Sequence, residues 1–497
     1  MRTKILLNLI FSLIGLSTFG QQNINTSSID SIVSFYEDYY DFNGTIAVMK
    51  GKETIFKKGY GYANYEFGKK TNINSIYNIR SLTKGFTGVI IAEFIQNGKL
   101  KLDDFISTHL PEINGKAGNT VTIKHLLTHQ SGLKPIDMKT EDRLTKMDYL
   151  KQLNEAEFLF TPGTEERYHD FNYYILGVII ERIEGKDLER VYDEKIFTPL
   201  GMNNTSLSDG ESMVKNLVIP YYINQVDHSN KLHHVFPRIT EVGYSFGGIL
   251  STIDDLHKWL EANHSDRFKQ TSIKGFVDDK SKGRDMPFEN KPDTVNLGGT
   301  EKRIFVGDGG GGGFRSLYYY YPDEDIYIIM LCNTYYFKPR GATGGLKYDV
   351  IPYLISQSIF TNDITPQKIP ISKIIIDKLE NDISIKTVIK EYQELKKNTD
   401  TYLFDVKQLN NAAYFCLDNK NEQEALELFS LNVKEYPENW IVYDGLGEYY
   451  FRTGNREKTI EYFEKSVKMN PNQWREERKM YDKRRNMLEI IDVNRYH

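Results

Sequence analysis

The sequence predicts an α+β domain followed by an all-α domain of helical repeats, and three observations support this fold class. Strand-like and helix-like patterns alternate irregularly between about Ile24 and Phe360, which favours α+β architecture over a regular succession of βαβ units. A polar, proline-containing segment follows at 361–370, and residues 371–497 have helical periodicity with a repeated spacing. The length of 497 residues allows two or three domains at roughly 100–200 residues each.

Residues 1–20 have the organisation of a secretory signal peptide. Arg2 and Lys4 supply positive charge, an apolar run extends from Ile5 to Leu16, and small residues precede Gly20. We expect cleavage after Gly20 and export to the periplasm or the medium. The apolar run is shorter than the roughly 20 residues that a membrane span needs. No membrane span is therefore expected after cleavage, and an uncleaved anchor helix is the alternative.

The composition argues against several classes of partner. The chain carries 63 Lys and Arg against 68 Asp and Glu, a net charge of -5, whereas nucleic-acid binding favours a clustered basic face. The ten histidines show no short ligand spacing such as His-x-His or His-x-x-x-His with an acidic neighbour, so neither a metal nor another cofactor is expected. Cys332 and Cys416 fall in different predicted domains and are expected to be buried thiols rather than a disulfide.

The first domain contains recognisable local elements. Residues 44–49 and 54–58 have strand patterns separated by the turn residues 50–52, which predicts a hairpin. Residues 86–100 have helical spacing, with apolar residues on one side. Residues 316–321 and 326–331 flank the turn sequence Pro-Asp-Glu-Asp, which predicts a second antiparallel strand pair.

The C-terminal region shows a spacing of 34 residues. Four pairs of similar residues share this offset: Ala413 and Gly447, Ala425 and Thr459, Phe429 and Phe463, Pro437 and Pro471. The spacing resembles that of the tetratricopeptide repeat, whose helix pairs stack into a solenoid. Residues 371–397 would supply a preceding helix pair, and the charged segment 474–491 a cap. The concave face of such a stack would bind a peptide or protein partner; an unrelated helical bundle is the alternative.

The segment around Ser81 carries the chemistry. Ser81 and Lys84 are three residues apart ahead of an amphipathic helix, so both side chains would project from one helical face. A serine hydroxyl needs a base to become a nucleophile, and a desolvated lysine with a pKa near 7–8 can serve as one. The partial positive charge of a helix N-terminus favours the serine alkoxide and the neutral amine.

The Ser-x-x-Lys pattern occurs two more times. Ser131 is followed by Gly132 and then by Lys134-Pro135, a sequence that opposes a helix. Ser212 and Lys215 lie in a polar run without a flanking apolar helix. Context therefore selects Ser81 as the candidate nucleophile.

Several short sequence motifs follow one another along the first domain. They are Ser81-Leu-Thr-Lys-Gly-Phe-Thr87, Gly98-Lys-Leu-Lys-Leu-Asp-Asp104, His125-Leu-Leu-Thr-His-Gln-Ser-Gly-Leu133, Pro162-Gly163, Tyr173-Tyr-Ile-Leu-Gly177, Pro199-Leu-Gly-Met202 and Gly247-Gly-Ile-Leu-Ser-Thr252. This order resembles the class C-like branch of the serine beta-lactamase and penicillin-binding protein superfamily, over about residues 43–334. The resemblance implies an antiparallel sheet flanked by helices, a helical subdomain, and an active site between the two.

The resemblance also implies a second base from a Tyr-x-Asn motif. The matching position here reads Tyr168-His169-Asp170, so Tyr168 would share a proton with Lys84 and Asp170 would replace the usual asparagine. The words Tyr62-Ala-Asn64 and Tyr222-Ile-Asn224 also fit the pattern, but neither stands at the right place in the order.

The third family motif has Lys or His, any residue, then Gly on a strand that lines the pocket. Counting back from Phe314 places Asp308 in the cationic slot and Gly310 in the glycine slot. Gly311 would then donate its N–H to an oxyanion, together with the N–H of Ser81, a contribution of about 2.7–4 kcal/mol per donor. A flexible glycine-rich loop is the alternative for this segment.

The two acidic replacements have consequences. Asp170 and Asp308 beside Lys84 would hold the amine protonated and repel a substrate carboxylate. The chain is therefore predicted to be an exported serine hydrolase that forms an acyl-enzyme on an ester, an amide or a D-amino-acid peptide, rather than a true beta-lactamase. A slow enzyme, or a catalytically impaired protein that binds peptides or proteins through its repeats, is the alternative.

Overall fold

The computed structural model describes residues 24–134, 145–210, 212–224, 232–234, 240–265, 293–337, 348–361 and 366–469, with side chains left out at 222–224, 232–234, 240–242 and 336–337. The predicted signal peptide and the charged cap at 474–491 lie outside these residues, as does Pro471.

A six-stranded antiparallel sheet forms the centre of the first domain, in the order β10-β11-β12-β13-β1-β2. Both hairpins predicted from the sequence belong to this sheet and are confirmed. The strands are β1 Gly44–Lys50, β2 Glu53–Tyr60, β3 Tyr62–Asn64, β4 Lys69–Lys70, β5 Tyr77–Asn78, β6 Ser206–Leu207, β7 Tyr221–Asn224, β8 Leu232–His234, β9 Ile249–Ser251, β10 Asp293–Leu297, β11 Thr300–Gly311, β12 Phe314–Tyr321, β13 Ile326–Cys332, β14 Thr334–Phe337, β15 Ile369–Pro370 and β16 Tyr402–Leu403.

Helices cover both faces of this sheet. They are α1 Thr26–Tyr40, α2 Thr83–Gln96, α3 Ile106–His109, α4 Ile123–Leu127, α5 Lys146–Lys151, α6 Asp170–Glu184, α7 Leu188–Tyr192, α8 Thr198–Leu200, α9 Thr240–Gly247, α10 Ile253–His264 and α11 Val350–Phe360, with short 3₁₀ turns at Arg80–Leu82 and Gln152–Glu155 and a π turn at Asp193–Phe197. The helix predicted over 86–100 ends at Gln96, because Asn97 caps it and Gly98 has φ +68°.

Strand β13 shows how the sheet divides two apolar cores. All seven of its residues are buried, and successive side chains of a strand point to opposite faces. Tyr327, Ile329 and Leu331 pack into the core that contains α2 and α6. The alternate residues, such as Ile328 and Met330, pack into a second core against α1 and α11. The candidate site lies on the side of the first core.

The C-terminal region is helical and has a third apolar core of its own. Its helices are α12 Ile371–Glu380, α13 Ile385–Leu395, α14 Val406–Asp418, α15 Glu422–Glu435, α16 Trp440–Arg452 and α17 Arg456–Met469. Helices α16 and α17 begin 34 residues after α14 and α15, and they also end 34 residues after them. Gly447 permits the close approach of α16 and α17, because a Cβ there would lie 2.4 Å from the ring of Phe463.

Two further observations concern the cysteines and the length of the helices. Cys332 and Cys416 are free and buried, as the sequence predicts, and burial raises the pKa of each thiol to about 12. In the part of the chain that the structure describes, none of the helices combines the length and apolar character needed to cross a membrane.

Candidate active site

The backbone around Ser81 is anchored on both sides. Before it, β5 pairs with β9, and the Ile79 N–H donates to Ile249 O at 3.0 Å. After it, the 3₁₀ turn Arg80–Leu82 runs directly into α2, so Ser81 stands at the N-terminal end of the helix. Such an end carries partial positive charge, which stabilises an anionic oxygen placed there.

Lys84 lies one turn farther along α2, and its side chain is 1% exposed. Its Nζ atom lies 3.1 Å from Ser81 Oγ, 2.5 Å from the Tyr168 hydroxyl, 2.7 Å from Asp170 Oδ1 and 3.0 Å from Phe246 O. An ammonium group has three protons to donate, and these are four acceptors. The amine therefore sits where it can exchange a proton with either hydroxyl.

Tyr168 completes a closed set of contacts. Its hydroxyl lies 2.8 Å from Ser81 Oγ and 2.8 Å from Asp170 Oδ1. Tyr168 lies two residues before α6, which begins at Asp170, and α6 packs against α2. Packing of the two helices therefore brings the residues together. The Tyr168 side chain is 41% exposed, so a substrate has access to the cluster.

Asp170 is ionised in this arrangement. Burial alone would raise its pKa, but the charge and hydrogen bond of Lys84, the hydrogen bond from Tyr168 and the charge of Arg80 lower the pKa below the ordinary value of 3.8. The carboxylate in turn favours the protonated form of Lys84. The resting site thus contains an ammonium–carboxylate pair, with the Tyr168 hydroxyl and Ser81 Oγ beside it.

His129 lies beneath Tyr168 and was not singled out from the sequence. The ring centroids of the two residues are 4.6 Å apart. His129 is buried, and its Nδ1 accepts from the His169 N–H at 3.2 Å. Burial and the charge of Lys84 lower the pKa of His129 to about 3. The ring is therefore neutral at neutral pH and does not add a second cation beside Lys84.

The glycine strand abuts Ser81, but with a register that differs from the sequence-based one. A Cβ built on Gly309 would lie 2.4 Å from Ile79 O and 2.8 Å from Ser81 N. Gly309, rather than Gly310, therefore occupies the position that must lack a side chain. A Cβ on Gly310 would meet Tyr335 and Arg315 instead.

The same register changes the expected oxyanion donor. Gly312 and Gly313 have φ +56° and +82° and form a two-residue hairpin turn closed by Gly311 and Phe314, as in type I′ turns. Hydrogen-bonded and non-bonded pairs alternate along an antiparallel ladder. Counting from the closing pair, Gly309 bonds to β12 and the Gly310 N–H points outward. Geometry thus favours Gly310 over Gly311 as the donor.

Asp308 does not join the cluster. Its side chain points to the opposite face of β11 from Gly309, since neighbours in a strand alternate. There its carboxylate pairs with Arg315, which also binds Asp349 at 2.8 Å. The expectation that two acids lie beside Lys84 is therefore corrected: Asp170 does so, and the charge of Asp308 is compensated by a buried guanidinium.

The competing sequence patterns lie elsewhere. Ser131 is buried and donates to Asn172 Oδ1 at 2.7 Å. Ser212 is exposed and hydrogen-bonded to Asp209. Tyr62 belongs to the short strand β3 and packs against Tyr65, with ring centroids 4.7 Å apart. The side chain of Tyr222 is outside the described part of the structure.

Two contributors besides His129 were not identified from the sequence. Phe246 contributes a backbone carbonyl, which no residue pattern indicates, and the centroid of its ring lies 5.5 Å from Lys84 Nζ. Arg80 is adjacent to the nucleophile, and its charge helps to lower the pKa of Asp170. The sequence signal that could have identified Arg80 is its position directly before Ser81.

The antiparallel sheet, its flanking helices and the Ser81–Lys84–Tyr168 cluster define the class of beta-lactamase-like proteins, whose members are serine hydrolases. A family model described as "Beta-lactamase" matches residues 33–348, more than half of the chain. The chain belongs to this family.

Known proteins resemble parts of the chain. "Protein flp" of Staphylococcus aureus (strain MRSA252) is 29% identical over 241 residues, 45% of this chain and 46% of that protein. "Teichoic acid D-alanine hydrolase" of Staphylococcus aureus is 29% identical over 223 residues, 44% of this chain and 53% of that protein. The chain thus spans about half the length of these curated relatives. The crystal structure of FmtA from Staphylococcus aureus has a TM-score of 0.55 and 23% identity, covering 68% of this chain and 90% of that one, which shows a shared fold.

Proposed function

We propose that this protein is a serine hydrolase that forms an acyl-enzyme on Ser81. The observation that supports this most directly is the triangle of Ser81 Oγ, Lys84 Nζ and the Tyr168 hydroxyl, with separations of 2.5–3.1 Å. These distances lie within the reach that proton transfer to a base requires. The arrangement places two candidate bases beside a hydroxyl at the start of a helix.

The reaction follows from the contacts. The reactive form has lost one proton from the Lys84–Tyr168 pair, so that the neutral amine or the phenolate is the base. Ser81 Oγ then forms a bond to the substrate carbonyl carbon while its proton passes to this base. The carbonyl oxygen becomes an oxyanion, held by the N–H groups of Ser81 and Gly310. The bond to the leaving group breaks, and the leaving oxygen or nitrogen takes up the proton. Water then attacks the acyl-enzyme and releases the acid, which restores Ser81.

We infer that esters, and D-alanyl esters in particular, are the preferred substrate class. One relative carries the name teichoic acid D-alanine hydrolase. Asp170 supports this inference, since its half-exposed carboxylate would attract the free amine of an alanyl group. Amides and D-amino-acid peptides remain within reach of the same chemistry, but their leaving groups need stronger protonation than an alcohol does.

Covalent labelling tests the proposal. A fluorophosphonate probe should label the wild-type protein and fail to label Ser81→Ala. Ser212→Ala is the matched control, because Ser212 belongs to a second Ser-x-x-Lys pattern and is exposed; its labelling should equal that of wild type. Equal labelling of Ser81→Ala and wild type, or no labelling between about pH 6 and 9, where a shifted lysine titrates, would contradict an acyl-enzyme on Ser81.

A catalytically impaired binding protein is the second candidate, and the Lys84–Asp170 contact of 2.7 Å favours it. A carboxylate at this distance holds the amine protonated and weakens it as a base. Asp170→Asn separates the two functions. If the amine is the base, the variant should be labelled at lower pH than wild type. If neither protein is labelled at any pH, the binding function is favoured.

The C-terminal helices and the N-terminus complete the proposal. We propose that the helix pairs with the 34-residue offset are tetratricopeptide-type repeats and that their concave face binds a peptide or protein partner.

We also propose export, to the periplasm or the medium, with cleavage after Gly20. The N-terminal sequence of the protein recovered from the cell envelope or the medium would then begin at Gln21.

A further inference from the structure

Arg80 immediately precedes Ser81, and its side chain reaches the tip of the glycine hairpin. A Cβ built on Gly311 would lie 3.5 Å from Arg80 Nη2, and one built on Gly312 would lie 3.6 Å from Nη1. These are ordinary contact distances. Any larger residue at the tip would therefore cover the guanidinium, and the two glycines leave that space open.

Arg80 differs from the other cations around the site in its partners. Lys84 pairs with Asp170, and Arg315 pairs with Asp308 and Asp349. Within the described ranges, the guanidinium of Arg80 has neither a carboxylate oxygen within 4.0 Å nor a side-chain hydrogen bond. The side chain is partly buried. A partly desolvated charge without a close counter-ion is costly, and such a group suits an incoming anion.

We propose that Arg80 binds an anionic group of the substrate, a carboxylate or a phosphate, held beside the scissile carbonyl on the hairpin-tip side. The inference rests on the proposed function, because an acyl group on Ser81 is what places the substrate next to Arg80. A guanidinium presents parallel N–H groups that match two oxygens of either anion. Arg80 thus acts as a specificity-determining residue, and the compensated Asp308 does not oppose it.

Matched substrates test this assignment. Three esters with one acyl group and one chromophore are compared: a neutral ester, a carboxylate-bearing ester and a phosphate-bearing ester. In Arg80→Gln, kcat/KM for the preferred anionic ester should fall about ten- to a hundredfold, as expected for charge-assisted hydrogen bonds, mainly through KM. The neutral ester should change by less than about threefold on the same basis. The ester with the larger fall identifies the anion.

Two variants control for charge and for structure. Arg303→Gln removes a positive charge at the other end of β11, where Arg303 pairs with Asp323, and should leave the preference unchanged. Arg80 has φ +53°, which glycine adopts without strain. Arg80→Gly should therefore fold even if Arg80→Gln does not, and added guanidinium ion should restore the use of the anionic ester. Equal losses for all three esters, or no losses, would overturn the proposal.

Binding separates this inference from the proposed function. Ser81→Ala binds the anionic esters without turnover, so calorimetric titration measures affinity directly. Adding Arg80→Gln to Ser81→Ala should weaken binding of the preferred anionic ester about tenfold or more. If Ser81 is labelled but the protein shows no preference for anionic esters, the assignment of Arg80 is refuted and the proposed hydrolase function stands. Arg80-dependent binding in a wild-type protein that is never labelled refutes the hydrolase instead.

Discussion

At the scale of single residues, Tyr168 is held between charged groups on one side and a neutral ring on the other. Its hydroxyl contacts Lys84 and Asp170, while its ring rests on His129. The Nε2 atom of His129 has no hydrogen-bond partner among the described residues. A protonated His129 would place a second charge in this buried position, so the packing and the neutral state of the imidazole support each other.

The replacement His129→Phe should make stability less sensitive to acid. The pKa of His129 is about 3 in the folded protein and 6.5 in its ordinary state. Below pH 6.5 the unfolded chain therefore binds a proton that the folded chain does not, and stability falls as the pH falls. Between pH 6.5 and about pH 4.5 this contributes roughly 2–3 kcal/mol.

Urea unfolding of both proteins at these two pH values measures the effect. The wild type should lose roughly 2–3 kcal/mol more than His129→Phe over the interval, although the variant starts from a lower stability because the His169 N–H loses its acceptor. The same pH dependence in both proteins would contradict a neutral buried His129.

Two kinds of local signal identified site residues from the sequence: short spacing on one helix, and a fixed place in the order of the family motifs. Ser81 and Lys84 are three positions apart on one helix, and Tyr168 stands at a fixed place among the motifs. Asp308 has no such support. Its partner Arg315 comes from another strand, and Arg315 also binds Asp349. The orientation of Asp308 therefore depends on tertiary contacts that the sequence does not show.

At the scale of elements, strand β11 has to approach Ser81 without any side chain between them. Residues 309–313 are all glycine, so the usual alternation of polar and apolar residues gives no register. The hairpin turn and the contact of Gly309 with Ser81 define it instead. This explains why the strand itself was predictable from the sequence whereas the donor position was displaced by one residue.

Alanine substitutions at two neighbouring glycines should differ sharply in their effect on the acylation rate. In Gly309→Ala, the added Cβ meets the backbone atoms Ile79 O and Ser81 N at 2.4 and 2.8 Å, so β11 must move away from Ser81. Loss of an oxyanion donor costs about 10²–10³-fold in kcat, and we expect an acylation rate reduced by about that factor.

Gly310→Ala is the matched control. Its Cβ would meet only side-chain atoms of Tyr335 and Arg315, at 3.0 and 3.2 Å, and the Gly310 N–H is retained. We expect its acylation rate to stay within about tenfold of wild type, less than the loss of one donor. Stopped-flow acylation, with a thermal unfolding curve for each variant, measures both effects. Equal rates in the two variants would show that the Gly309 contact does not hold β11 in place.

At the scale of the whole molecule, the apolar cores divide the chain. Two cores lie on the two faces of the six-stranded sheet, and their buried members come from residues before 361. The third core draws its members from residue 371 onward. The segment that the sequence predicts to be a polar linker, 361–370, falls between the last buried residue of the second core and the first of the third. The 34-residue offset was visible in the sequence, because each helix pair needs similar small and apolar residues at the positions where its two helices pack.

If the cores are independent, a cavity in one should leave the other intact. Leu428 is 0% exposed in the third core, and Leu428→Ala should destabilise the C-terminal helices by about 2–5 kcal/mol. Labelling of Ser81 at 25 °C should be unchanged. Leu331→Ala, at a 0% exposed position of the first core, should instead reduce labelling, since it weakens the sheet beside Ser81.

Differential scanning calorimetry with parallel labelling tests this independence. Wild type should show two transitions, with Leu428→Ala lowering one of them and Leu331→Ala the other. A single transition that moves in both variants, together with lost labelling in Leu428→Ala, would mean that the helical region and the sheet fold as one cooperative unit. The repeats would then contribute to the active site through stability as well as through any partner they bind.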